Sequence, residues 1–148
     1  MKRKPFIIFF TGLTNSGKTT LSQLLFQYLK DIGLKQIKNI DGDKFRRKIN
    51  NFIYSSKERK FVGDKKIKYA KLLTNKGYNV IVSGVAPNRK WRKKNKRIKN
   101  FFEIYLNCSF RETIRRNKRR KEKKFLDQDK NNVIGLDQPY ERGDSQDL

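Results

Sequence analysis

The sequence predicts an α/β protein built on a parallel β-sheet, and three observations carry that prediction. Short runs of β-branched and aromatic residues alternate with longer stretches of helical periodicity, the order that βαβ units need. The runs are apolar at consecutive positions, as strands buried on both faces are. A glycine-bearing loop lies between the first run and the first helical stretch. In parallel sheets ligands bind there, beyond the carboxyl ends of the strands.

The elements follow in order. Phe6-Ile7-Ile8-Phe9-Phe10 reads as a buried strand stopped by Gly12. Leu21, Leu24, Leu25, Tyr28, Leu29 and Ile32 recur at helical spacing, and Gly33 closes that helix. A short second strand over Gln36–Ile40 ends at Asp41-Gly42-Asp43, whose Asp-Gly step is turn chemistry. Ser56–Lys76 is predicted helical, with Ser56 as cap and Gly77 as stop, although Gly63 lies inside it. Asn79–Val85 is a third strand, followed by a basic helix through Trp91. Phe101–Leu106 is a fourth strand, and Ser109 to about Lys121 a very basic helix. From Asp127 onward the chain is polar and reads as loop. No linker or internal repeat breaks it, so residues 1–148 are expected to form one domain.

Composition narrows the function. The net charge is +24, from 38 basic and 14 acidic side chains. Such a charge raises the question of nucleic acid, because Lys and Arg release counterions from phosphates on binding. Compositional drift is the rival account, since Lys, Asn, Ile and Phe abound as an AT-rich genome would make them, together with attraction for small anions. The single cysteine, Cys108, excludes an intrachain disulfide, and the absence of His argues against structural zinc. No apolar run approaches the roughly 18 residues of a membrane span. The opening Met-Lys-Arg-Lys and Phe6–Phe10 imitate a signal peptide only briefly, so a cytoplasmic protein is expected.

Chemistry concentrates in Gly12-Leu13-Thr14-Asn15-Ser16-Gly17-Lys18-Thr19, a match to G-x-x-x-x-G-K-[ST] in the required strand–loop–helix context. Its glycines let backbone N–H groups converge on phosphates, and the helix N-terminus adds its positive end. Lys18, read as a solvated ligand group, would bridge the outer phosphates of ATP, and the Thr19 hydroxyl would hold Mg²⁺. Thr20 follows at the same helix start. The expected fold is therefore the P-loop NTPase one, three layers α/β/α. Asp41 and Asp43 end the second strand facing this loop. They serve either as a turn or as a metal ligand and an acceptor of a hydroxyl proton. The third strand carries no acidic residue of the Walker B type. Arg46, Arg59, Arg89 and Arg92 flank these loops.

The phosphate loop, Ile40-Asp41-Gly42-Asp43 with Arg46, Val85-Ala86-Pro87-Asn88-Arg89 with Arg92, Phe102–Leu106, and Gly135-Leu136-Asp137-Gln138-Pro139-Tyr140-Glu141 together resemble adenylylsulfate kinase. That family phosphorylates the ribose 3′-hydroxyl of adenosine 5′-phosphosulfate. The resemblance covers essentially the whole chain, and its Asp-Gly-Asp-x-x-Arg and Gly-Leu-Asp-x-Pro-Tyr-Glu elements are the specific ones. It implies that Arg46, Arg59 and Arg89 grip the phosphosulfate end and that Asp41 works at the acceptor hydroxyl and the metal. It places Asp43, Tyr54, Val85, Ala86 and Val133 at the acceptor and Arg116 against the ATP adenine. Lys123 and Lys124 take the places of lid lysines, in a lid region spanning about residues 117–134.

The departures fall on the acceptor side. Val62, Ala86 and Asn88 replace the family's asparagine, serine and tyrosine, and Val133 and Ile134 stand where a second stacking aromatic is expected beside Tyr54. The lid's Lys-Gly-Leu-Tyr is Arg119-Arg120-Lys121-Glu122, and the chain stops where the family continues into a last strand and helix. The expected activity is ATP- and Mg²⁺-dependent phosphorylation of adenosine 5′-phosphosulfate. The alternatives are a related kinase of another nucleotide-linked acceptor, such as cytidine diphosphoramidate kinase, or a non-catalytic basic nucleic-acid-binding module. Small nucleotides are the expected partners, with nucleic acid at most non-specific, no membrane, and a homodimer left open.

Overall fold

The computed structural model describes residues 4–119 and 132–142. Four parallel strands, β1 (Ile7–Gly12), β2 (Ile37–Ile40), β3 (Asn79–Ser83) and β4 (Phe101–Leu106), form one sheet in the order β2-β3-β1-β4. β1 lies centrally, with Ile7 opposite Val80 on one side and Phe101 on the other. The helices are α1 (Lys18–Asp31), α2 (Gly42–Lys48), α3 (Ser56–Asn75), α4 (Arg89–Asn95) and α5 (Phe110–Lys118).

Consecutive apolar residues make sense once both faces of the sheet are covered. Ile7, Phe9, Val80, Val82 and Ile40 point to one face and pack on Ile67 and Ala70 of α3 and Trp91 of α4. Phe10, Ile81 and Ile37 point to the other, against Leu25 and Leu29 of α1. The architecture is three-layered α/β/α, as predicted. Gly63 now has a reason: a Cβ there would stand 2.9 Å from Trp91 Cζ2, so the close approach of α3 and α4 requires its absence.

Four readings need correction, the first being the end of β3, which stops at Ser83, two residues short of the expected Val85. The cap of α3 is Ser55, whose Oγ accepts from Glu58 N, and Ser56 is the first helical residue. Asp41-Gly42-Asp43 is not a free turn but the start of α2, a helix unread in the sequence because its apolar content is too low to show a period. β1 runs on to Gly12, two residues past its expected end.

Candidate active site

The phosphate loop begins where β1 meets a steric limit. Gly12 has φ +142°, and a Cβ on it would lie 2.8 Å from Leu106 O of the neighbouring strand. Gly17, at φ +103°, is the N-cap of α1, so the loop's backbone turns into the positive end of that helix. Asn15, also left-handed at φ 62°, is fixed through its amide to Asn117 Oδ1 at 3.0 Å. Lys18 departs from expectation. It is buried, and its Nζ donates to Leu13 O at 2.5 Å and Ser16 Oγ at 3.3 Å, so the loop's own oxygens solvate the ammonium. Arg116 lies against the same loop, donating to Ser16 O at 3.1 Å and to Glu112 at 2.8 Å. Hydrogen bonds from Arg115 and Arg116 hold the Glu112 carboxyl down at about 2. A groove lined by Ser16, Leu106, Cys108, Ser109 and Arg116 opens beside the loop.

Asp41 uses its two carboxylate oxygens in different directions. Its Oδ1 caps α2, accepting from Asp43 N and Lys44 N at 3.1 Å each. Its Oδ2 faces the phosphate loop, accepting from Thr19 Oγ1 at 2.7 Å and Ser83 Oγ at 3.2 Å. Thr19 and Asp41 thus bring a hydroxyl and a carboxylate together at the mouth of the loop. These are hard oxygen donors, few in number, which suits Mg²⁺, an ion that keeps most of its shell for water and phosphate. Among the described residues no cluster of three His, Cys, Asp or Glu competes for a metal.

Two of the arginines that the resemblance assigns to the acceptor gather around Tyr54. The guanidinium of Arg46 lies 4.4 Å, and that of Arg59 5.3 Å, from the Tyr54 ring centroid. Both are held by neutral oxygens: Arg46 by Asn51 Oδ1 and Ile53 O at 2.8 and 2.9 Å, Arg59 by Tyr54 O and Asn132 O at 2.8 and 2.5 Å. Burial, and next the positive charge of Arg46, pull Arg59 down to about 10. Two like charges held by dipoles make a site that an anion would stabilise.

Val85 O accepts from Thr11 Oγ1, Ala86 adopts φ 41°, and the Arg89 backbone N–H donates to Glu141 Oε2 at 2.6 Å. Val133 is buried, with its carbonyl closing the turn to Leu136, Asp137 and Gln138. Arg92, grouped by sequence with the flanking arginines, instead forms a buried ion pair with Glu103 at 2.9 Å and is a structural residue. Lys123, Lys124 and most of the expected lid region lie outside the described residues.

Sequence reasoning missed the residues that join these parts. Thr11, fully buried at the end of β1, lies 2.8 Å from Tyr140 OH, and Tyr140 stacks on Tyr105 with centroids 5.2 Å apart. Arg92 donates to Ala86 O and Glu141 O, pinning the 132–142 segment across the carboxyl ends of the strands. A hydroxyl ending an otherwise apolar strand was the available signal for Thr11. Nothing local marked Ser83 or Asn117.

A parallel sheet, a phosphate loop at the end of its central strand and a carboxylate facing that loop define a P-loop kinase. The chain belongs to the adenylylsulphate kinase family, whose model matches residues 4–148. It is 35% identical over 143 residues to the cytidine diphosphoramidate kinase of Campylobacter jejuni, covering 96% of this chain and 84% of that one. It is 34% identical over 138 residues to a probable adenylyl-sulfate kinase of Archaeoglobus fulgidus, covering 92% and 88%. Its fold matches a Mycobacterium tuberculosis APS kinase structure with a TM-score of 0.82 at 24% identity, over 98% of this chain and 87% of that one.

Proposed function

We propose that the chain moves the γ-phosphoryl group of ATP to a sugar hydroxyl of a nucleotide-linked acceptor with an anionic end. The observation that carries this reading is the Thr19–Asp41 contact at the mouth of the phosphate loop, with Asp41 capping the helix whose last turn carries Arg46. In the reaction the acceptor oxygen–phosphorus bond forms, the bond from the γ-phosphorus to the bridging oxygen breaks, and ADP leaves with that electron pair. Lys18 is placed to exchange Leu13 O for phosphate oxygens. Thr19 and Asp41 would hold Mg²⁺, which when bound offsets phosphate charge. Asp41 Oδ2 orients the acceptor hydroxyl and draws its proton, Arg46, Arg59 and Arg89 fix the anionic end, and Arg116 borders the adenine of ATP. Positioning and preorganised charge supply the catalysis.

Adenosine 5′-phosphosulfate, the acceptor of the family's name, is the first reading. The second is cytidine diphosphoramidate. The Campylobacter jejuni relative favours it. The test is release of ADP from ATP with each compound in turn. Turnover with one at least about tenfold above the other assigns the acceptor, a preference of roughly 1.4 kcal/mol. Turnover with neither would refute both readings.

A further inference from the structure

One lysine is buried for no reason that phosphoryl transfer by itself supplies. Lys66, on α3, is 5% exposed among residues of the apolar core. Its Nζ donates to Ser83 O at 2.7 Å and lies 5.9 Å from the Phe9 ring centroid. Two glycines make room for it: a Cβ on Gly84 would stand 2.4 Å from Nζ, and one on Gly42 3.3 Å away. Gly42 separates Asp41 from Asp43, so the amine sits beneath a backbone that carries two carboxylates. Among the described residues, the charged groups facing it come from α2 and its cap: Asp41 and Asp43 attract it and Arg46, in the last turn, opposes them. β1 and β3 present Phe9 and Ser83, neither of which titrates. Burial pulls the amine down to about 8, so at neutral pH it is still a cation.

Enclosing an ammonium costs several kcal/mol unless its charge is matched, and an aliphatic side chain would fill the same space without that cost. The matching groups here are the carboxylates of Asp41 and Asp43. Ser83 completes the link, since its carbonyl binds Lys66 and its hydroxyl binds Asp41 Oδ2.

We propose that Lys66 is a positioning residue: its ammonium is the built-in counter-ion of the Asp41–Asp43 pair and, through Ser83, holds Asp41 against Thr19. The role rests on the phosphoryl-transfer reading, in which Asp41 has to stand at one place while nucleotide and acceptor come and go. Lys66 keeps the two carboxylates from repelling each other across Gly42 in the free protein.

Lys66→Met, close in length and volume, removes the charge together with the hydrogen bond to Ser83 O. The expected result is a kcat at least about tenfold lower, because misplacing a reacting group by 1 Å can cost about 10²-fold. The KM for ATP should stay within roughly twofold, as the phosphate loop is untouched. A second readout needs no acceptor: added Mg²⁺ should raise the Tm of the variant more than that of the native protein, because the divalent ion then does the offsetting. Native kcat in the variant, or equal Mg²⁺ increments in Tm, would overturn the proposal. If Lys66→Met does not fold, Lys66→Gln takes its place in both measurements, and the same results support or overturn the role. Absence of turnover in the native protein with either acceptor would count against the kinase reading, whereas the Mg²⁺ increments would still decide Lys66.

Discussion

The donor and acceptor sides of this cleft are built in opposite ways. The donor side is one short stretch, residues 12–19, shaped by two left-handed glycines and a helix start. Arg116 and Asn117 of α5 are its outside props. The acceptor side is assembled from α2, the 51–54 segment, α3, the 85–89 loop and the 132–142 segment. It is held by hydrogen bonds between distant parts of the chain, such as the one from Ser56 to Gln138, 82 positions apart. A contiguous loop resists drift because each residue answers to its neighbours' geometry. A site drawn from five segments can change its ligand one segment at a time.

The comparison is broken most severely by Lys18→Ala. Removing one preorganised donor costs about 10²–10³ in kcat. Lys18 is buried and bonded to Leu13 O and Ser16 Oγ, so a loss of about 1 kcal/mol in stability should accompany it. ADP release at saturating ATP, with a melting curve beside it, checks both. Retained turnover would mean that the donor side does not work as a phosphate loop.

Asp41→Asn comes next and separates the residue's two duties. Asn caps a helix about as well as Asp, so the bonds from Asp43 N and Lys44 N are kept, and the fall in Tm should be only the modest one that comes from removing a charge that attracts the buried Lys66. What changes is Oδ2 and the charge. A fall in kcat of roughly 10²-fold is expected. A variant that loses stability but not kcat would return Asp41 to a purely structural role.

The same contrast explains what could be read from the sequence. The strands, the phosphate loop and helices α1 and α5 are encoded locally, by apolar runs, glycines and caps. The three-layer fold and the Lys18 and Thr19 positions follow from them. Asp41 is legible in the sequence, but its double use is not, because a carboxylate's two oxygens are not distinguished by spacing. Lys66 leaves no local trace either. It occupies a helical position that a solvated lysine would fill equally well, and only the approach of Gly42 and Gly84 shows that it is enclosed. The ion pair of Arg92 leaves no local trace either, since Arg92 is on α4 and its partner Glu103 on β4.

Val133→Phe sharpens the acceptor half of the comparison. The stacking argument expects an added ring to lower the KM for an adenine-bearing acceptor. The Val133 side chain is buried, so a larger ring has first to be accommodated, at a cost of typically 1–3 kcal/mol. The expected outcome is a lowered Tm with little change in KM. A lowered KM for adenosine 5′-phosphosulfate at unchanged Tm would restore Val133 to the pocket wall.

The smallest effect tests the seam between the two sides. Tyr140 carries the 132–142 segment onto the end of β1, its hydroxyl 2.8 Å from Thr11 Oγ1, and burial pushes it up to about 12. Below pH 10 the tyrosine keeps its proton folded or unfolded, and its contribution to stability is complete. Between about 10 and 12 the unfolded chain releases the proton while the folded one keeps it, so stability falls as pH rises. Above about 12 the contribution is gone. Tyr140→Phe removes the hydroxyl but keeps the ring on Tyr105. At neutral pH the cost should be near the low end of roughly 0.5–1.5 kcal/mol, because Thr11 retains its bond to Val85 O. Lysines and other tyrosines titrate in the same range, so the quantity to follow is the native-minus-variant difference in the urea midpoint. That difference should shrink as pH rises from about 10 to about 12. A difference that stays constant would mean that the hydroxyl is not held in its protonated form at the seam, and that stacking on Tyr105 ties the segment to the sheet.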